Sequence, residues 1–265
     1  MQSASGRGHT EWDPDQYQRF ERERAQPFHD LVARIPEHPV RYAADLGCGT
    51  GELTRGLLRR WPSAHIWAVD NSAEMLSRAR QQDAPAGLEF VEADLRTWRP
   101  PRALDLLLSN AAMQWVGDHE GLLEGFARLL ASRGILAVQM PNNREEAAYR
   151  ILAELCSSDP WSRRLPAVPF TPALEAPGWY AQRLVAAGFE FHLWETTYFH
   201  LLPGPEAILA WLRGTALRPI LTALGTAESV DFLRLLSQRL EQAYPRSTVG
   251  VLFPFKRLFF VARLP

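Results

Sequence analysis

The run Tyr42 to Leu46 passes directly into Gly47-Cys48-Gly49-Thr50-Gly51 and then into an amphipathic stretch that starts at Glu52. A short apolar strand that turns on closely spaced glycines into a helix opens a strand-helix-strand unit, and the turn lets a ligand approach the backbone. The same alternation continues downstream. Strands are expected at Tyr42 to Leu46, His65 to Val69, Leu88 to Val91, Leu104 to Ser109 and Ile135 to Met140. Helices are expected at Glu52 to Trp61, Ala73 to Arg80 and His119 to Leu130, the last with Asp118 as N-cap and Gly134 beyond its end. Buried strands separated by amphipathic helices predict an α/β fold with a parallel sheet and right-handed crossovers.

Flanking segments add to this sheet. Between Pro14 and Ile35, Tyr17, Phe20, Phe28, Leu31, Val32 and Ile35 recur at helical spacing, predicting two helices with Pro27 opening the second. Residues 13–36 are expected to form a helical lid behind a disordered Ser/Gly-rich 1–12. After a helix from Arg144 to Leu155 comes a Pro-rich flap, 156–178, carrying Pro160, Pro166, Pro169, Pro172 and Pro177. A helix from Trp179 to Ala187 and a strand from Phe189 to Phe199 follow. A helical insertion, 204–245, then precedes a last strand from Phe255 to Ala262, and within it Leu233, Leu236, Leu240 and Tyr244 share one face.

Charge and residue usage narrow the chemistry. Lys+Arg 29 against Asp+Glu 30 leaves a net charge of -1, too little field to hold a nucleic-acid backbone or an anionic membrane. Lys256 is the sole lysine, which argues against Schiff-base chemistry, and Cys48 and Cys156 stand apart without a metal-binding pattern, so no metal is expected. Met1 to Thr10 has no apolar signal core and no run reaches membrane-spanning length, so the expected setting is the cytoplasm.

The glycine turn is not the dinucleotide fingerprint, which needs a glycine at position 52, where Glu52 stands. Asp45 before the turn and Glu52 after it suit a ligand with a cationic end and repel a pyrophosphate. Asp70, about 20 residues on, can accept from both hydroxyls of a ribose, while Asp70, Asn71 or Ser72 can instead cap the next helix. Asp94 can accept from an adenine amino group with Leu95 packed on the ring, or serve as a turn aspartate.

Together these residues resemble the Rossmann-like, class I methyltransferases that use S-adenosyl-L-methionine. The resemblance implies a seven-stranded fold with N-terminal helices and a helical insertion before the last strand, and makes 37–265 the cofactor-binding domain. It places Asp45, Gly47, Gly49 and Gly51 around the methionine portion, Asp70 at the ribose, Asp94 and Leu95 at the adenine, and Asn110, Ala111 and Gln114 facing the sulfonium, with Asn71 also among the cofactor-binding residues.

A closer likeness runs through Trp12-Asp13-Pro14, Glu23-Arg24 with Pro27, Ser109 to Trp115, Val138-Gln139-Met140-Pro141, Trp194 to Tyr198 with His200, Leu217-Arg218-Pro219, and Phe253-Pro254-Phe255 with Arg257. These stretches resemble the trans-aconitate methyltransferases. That resemblance implies O-methylation of a small polycarboxylic acid to a monomethyl ester, and no catalytic residue is needed because a carboxylate is already an anion at pH 7. Candidate substrate ligands are Arg24, Arg218 and Arg257, with Tyr198 and His200 as alternative donors; each arginine is equally well explained as a solvated one. One position departs from the family, where an arginine commonly precedes the first-helix proline and Gln26 stands here. Trp115 is expected in the core or as pocket wall. Methylation of another acid, such as a malonyl thioester, and a non-catalytic cofactor-binding module are the alternatives.

Overall fold

The computed structural model describes residues 21–165 and 174–265. The described residues divide into two compact units, one built from 25–146, 174–200 and 254–265, the other from 21–24, 147–165 and 201–253.

The seven strands are β1 (Tyr42–Leu46), β2 (His65–Asp70), β3 (Leu88–Glu92), β4 (Leu104–Asn110), β5 (Leu130–Pro141), β6 (Glu190–Leu202) and β7 (Val251–Arg263). They form one sheet in the order β3-β2-β1-β4-β5-β7-β6. The first five run parallel and β7 is antiparallel to β5, so the α/β fold expected from the strand alternation is the one observed. The chain winds outward from β1 to β3 on one side and through β4 and β5 on the other. That reversal lies between β1 and β4, and the crevice beyond the carboxyl ends of these two strands is where sheets of this kind take ligands. Asp105 of β4 anchors the start of β1 by accepting the Arg41 and Tyr42 N–H groups at 2.8 and 3.0 Å.

Successive strand residues point to opposite faces, and each face has its own core. On one face, α1 (Glu21–Ala33) and α2 (Glu52–Arg60) bring Phe28, Leu31 and Leu57, joined by Ile35, against Ala43, Ile66, Leu106, Leu108, Ala137 and Phe259. Next along the sequence are α3 (Ala73–Ala79), α4 (His119–Leu129), α5 (Ala147–Cys156) and α6 (Pro177–Ala186). On the other face, α4 and α6 bring Leu123, Phe126, Tyr180 and Leu184 against Leu46, Val69, Leu107, Val138 and Phe260. Asp118 caps α4 as expected, accepting the Gly121 N–H at 3.0 Å.

The N-terminal helices differ from expectation. Pro27 lies inside a single helix, α1, and opens no second one. It has no N–H to give the Glu23 carbonyl, but its ring, Phe28 and Leu31 are all buried, and that burial holds the helix together across the lost bond. The Arg60 guanidinium closes the far end by donating to the Val32 and Ile35 carbonyls. Of the expected lid, Pro27, Phe28, Leu31 and Ile35 are buried in the core, while its residues 13–20 and the 1–12 segment lie outside the described residues.

The other unit holds α5, a 3-10 turn at Trp161–Arg163, α7 (Pro205–Arg213), α8 (Leu217–Ala223) and α9 (Thr226–Ala243). The helical insertion is thus three helices. In α9 the fully buried stripe is Phe232, Leu236 and Leu240, with Leu233 only half-buried, because Trp161 meets Phe232 edge-on at 5.1 Å. Tyr244 is buried as expected, and its hydroxyl accepts the Ala148 N–H at 2.9 Å. Of the expected flap, residues 166–173 lie outside the described residues, and its last two residues already begin α6. Among the described residues no helix is long and apolar enough to cross a membrane.

If α1 is core rather than a removable cover, Leu31→Ala should cost about 3 kcal/mol of stability by urea denaturation. Ala33→Ser, on the exposed side of the same turn, should stay within about 0.5 kcal/mol.

Candidate cofactor and substrate site

Gly47 and Gly51 adopt φ of 85° and 69°, left-handed values that a side chain resists. A Cβ on Gly47 would fall 2.1 Å from the Ala112 Cβ, and one on Gly51 would fall 2.3 Å from the Phe90 ring. A Cβ on Gly49 would meet nothing within 4 Å. The outer glycines are thus packing positions, and the middle one faces open space. Its N–H donates to Asp70 Oδ2 at 2.8 Å, while Asp70 Oδ1 accepts the Ser72 N–H at 2.8 Å. Ser72 is the N-cap of α3, accepting from Met75 N–H at 3.3 Å; Asn71 is exposed. Each Asp70 oxygen keeps a lone pair beyond these backbone bonds.

Asp45, at the end of β1, is 3% exposed and accepts from the Thr54 hydroxyl of α2 at 2.5 Å. Burial, reinforced by the Asp70 charge and opposed by the Thr54 bond, raises its carboxyl to about 6. Burial and the same two carboxylates push the Cys48 thiol well above its ordinary value.

At the end of β3, Asp94 is a turn aspartate. Its Oδ1 accepts the Arg96 backbone N–H at 2.8 Å and Nε at 2.9 Å, and these bonds hold the carboxyl down at about 2. Leu95 is half-buried against the core. At the end of β4, Ala111 turns the chain at φ 52°, donating its N–H to the Gln139 carbonyl at 2.9 Å and accepting from Gln114 Nε2 at 2.6 Å. Asn110 Oδ1 and Gln114 Oε1 are buried acceptors with no hydrogen-bond partner among the described residues. His119 fixes the short turn that carries Gln114. Its Nε2 lies 3.0 Å from the Met113 carbonyl, which requires an N–H there, so Nδ1 accepts from the Tyr180 hydroxyl at 2.7 Å. Trp115, expected in the core or as pocket wall, is 55% exposed. Three residues of 3-10 helix carry it past the apolar face that takes Met113.

Of the proposed substrate ligands, the structure brings together Arg257, Tyr198 and His200. Arg257, 5% exposed on β7, sets its guanidinium 4.3 Å from the Phe255 ring centre. The Tyr198 hydroxyl donates to Asp30 Oδ2 at 2.5 Å, and burial with that bond keeps the phenol protonated. The His200 ring lies parallel to that of Tyr198, 6.4 Å between centres. Gln26, exposed on α1, donates to Asp30 Oδ1 at 2.7 Å. Arg218 is exposed in the first turn of α8, in the other unit. Arg24 lies in the first turn of α1 and its side chain is outside the described residues. Asp30, Thr54 and Arg96 are partners that the sequence did not single out. Gln139 had a signal, as a polar residue inside an otherwise apolar strand.

Residues 43–134 match a family model described as a methyltransferase domain. Over 263 residues the chain is 46% identical to the trans-aconitate 2-methyltransferase of Streptomyces coelicolor, covering 96% of this chain and 87% of that protein. Its counterpart in Streptomyces avermitilis is 44% identical over 258 residues, covering 95% and 96%. This chain belongs to the trans-aconitate 2-methyltransferase family. Its fold is similar to that of the YcgJ protein of Bacillus subtilis, with a TM-score of 0.59 at 12% identity over 90% of this chain and 98% of that one.

Two outcomes follow from the geometry at the glycine turn of this family member. Gly47→Ala should lower stability by at least about 2 kcal/mol from backbone strain and the Ala112 collision, whereas Gly49→Ala, strained at φ 57° but with no collision, should cost only about 1 kcal/mol. Chemical denaturation of the pair measures the difference. For Asp45, the folded carboxyl titrates above its unfolded value of 3.8, so the folded state holds the extra proton and loses stability as pH rises from there to about 6. The stability of Asp45→Asn relative to the unsubstituted protein should therefore grow by about 2 kcal/mol between pH 4 and pH 7.

Proposed function

We propose that this protein is an S-adenosyl-L-methionine-dependent O-methyltransferase that converts a carboxylate of trans-aconitate to its monomethyl ester. The observation that carries this reading is a likeness extending over some 95% of the chain, far beyond the glycine turn, to relatives named for that reaction.

The donor set at the crevice supports the cofactor. Asp45, Asp70, Asn110 Oδ1 and Gln114 Oε1 are all acceptors, which suits a ligand bearing hydroxyl, amino and cationic groups, and the open space above Gly49 admits it. In this reading Asp70 holds the ribose, the turn lies along the methionine portion, Leu95 packs on the adenine, and Asn110, Ala111 and Gln114 face the reacting end. Asp94 would have to share its Arg96-paired carboxylate with the adenine amino group. When bound, the cofactor supplies an electrophilic methyl group on a positively charged sulfur.

The chain's own work is positioning. The acid's carboxylate oxygen brings its own electron pair and no proton is removed, so no general base is required. That agrees with a site in which Tyr198 is held protonated and Cys48 is held as a thiol. Alignment of oxygen and methyl carbon can supply about 7 to 11 kcal/mol of barrier reduction. Because an anion and a cation become two neutral products, a dry pocket favours the transition state over the separated charges. Arg257 neutralises a spectator carboxylate with a guanidinium already desolvated against Phe255.

The test is turnover with labelled cofactor and trans-aconitate, a malonyl thioester and a monocarboxylate in parallel, with the ester identified by mass. Absence of the trans-aconitate monomethyl ester, or an equal kcat/KM for the monocarboxylate, overturns the reading. Arg257→Lys should lower kcat/KM for the tricarboxylate at least about 10-fold while leaving cofactor affinity unchanged, because an ammonium lacks the fork.

A further inference from the structure

Gln139 is 0% exposed, and both Nε2 and Oε1 lack a hydrogen-bond partner among the described residues. A buried amide left in that state is a standing cost, and such groups persist where something else supplies the partner. Its place in the sheet says what that is. Along β5, Ile135 and Ala137 face the core beneath α1, and alternation puts Gln139 on that same face, at the carboxyl end of the strand. On one side its register partner is Asn110 of β4, whose Oδ1 is likewise unpartnered among the described residues. On the other side its partner is Phe259 of β7, and the next residue of β7 on this face is Arg257, opposite Pro141. Its main chain is fixed by the Ala111 N–H on its carbonyl, and Trp194 stacks on Phe259 at 5.0 Å to close the row beyond it. Strands lie about 4.8 Å apart. The amide therefore stands one strand from the residue that faces the cofactor and one strand from the buried arginine.

We infer that Gln139 is a substrate-positioning residue whose Nε2–H donates to a carboxylate of the acid between Asn110 and Arg257. The inference rests on the proposed carboxyl methylation and adds a specificity group to it. An amide suits this position because it donates without charge: Arg257 supplies the cation, and a second one beside the reacting end would repel the sulfonium. A neutral donor in a dry pocket also binds a carboxylate strongly.

The experiment compares Gln139→Met, which keeps length and removes the donor, with Gln139→Glu, which keeps shape and adds a negative charge. The expected result is a kcat/KM for trans-aconitate about 10- to 150-fold below wild type in the Met variant, with S-adenosylhomocysteine affinity by calorimetry within about twofold. The Glu variant should fall further, through repulsion of the acid. Without turnover, trans-aconitate added to the protein with S-adenosylhomocysteine should raise the melting temperature of the wild type and leave both variants unmoved. A Met variant with kcat/KM within threefold of wild type, or one that loses cofactor affinity in step with kcat/KM, overturns the inference, because the amide then serves the fold alone. If the Met variant does not fold, the Glu variant decides by the same thresholds. A wild type that transfers no methyl group to the acid marks failure of the functional reading instead.

Discussion

One carboxylate, that of Asp70, accepts the Gly49 N–H from the turn after β1 and the Ser72 N–H from the turn after β2. Parallel strands end in loops that have no ladder of their own, so the polar backbone at their carboxyl ends must find partners among neighbouring loops. Asp70 supplies two of those partners at once and sets the glycine turn at a fixed distance from α3. Gly47 does the corresponding work toward β4, where contact with Ala112 leaves no room for a side chain. The crevice is held from both sides before any ligand arrives. Asp45 bears the cost of this arrangement, since its burial, reinforced by the charge of Asp70, raises its carboxyl to about 6.

What the sequence revealed and what it concealed divide along a physical line. The central strands were legible because both faces of the sheet are buried, which forces short apolar runs bounded by glycine and aspartate. The cap at Asp118 was legible because it acts on the Gly121 N–H, three residues along, whereas the glycine turn and Asp70 were legible only as a pattern, since their partners Ala112, Phe90 and one another lie far apart in the sequence. Pro27 misled because a helix boundary was inferred from local preference, while burial of Phe28 and Leu31 decided the outcome. Trp115 misled because its size suggests the core, yet the buried contact of that turn belongs to Met113.

Long-range pairs were out of reach. Tyr198 and Asp30 are 168 residues apart and meet only because α1 packs on the face from which β6 projects its alternate residues. Their pairing changes the role expected for Tyr198, whose O–H is committed as donor to Asp30, leaving an oxygen that accepts. Gln26 adds to the same carboxylate, so the position where the family resemblance led to the expectation of an arginine here serves Asp30. Gln139 was visible as an oddity in the strand pattern, but its meaning needed the register that sets it beside Asn110.

The two cysteines have a consequence for handling the protein. Cys48 lies in the turn that would meet the cofactor, and Cys156 is buried at the end of α5 with its thiol pushed up to about 11. Alkylating reagents and oxidants attack the thiolate, and at neutral pH both residues hold very little of it. Both thiols should therefore react only slowly with maleimides. A single cysteine introduced on an exposed position, such as Val230 in α9, would carry a fluorophore selectively and report on motion of that helix without disturbing the glycine turn.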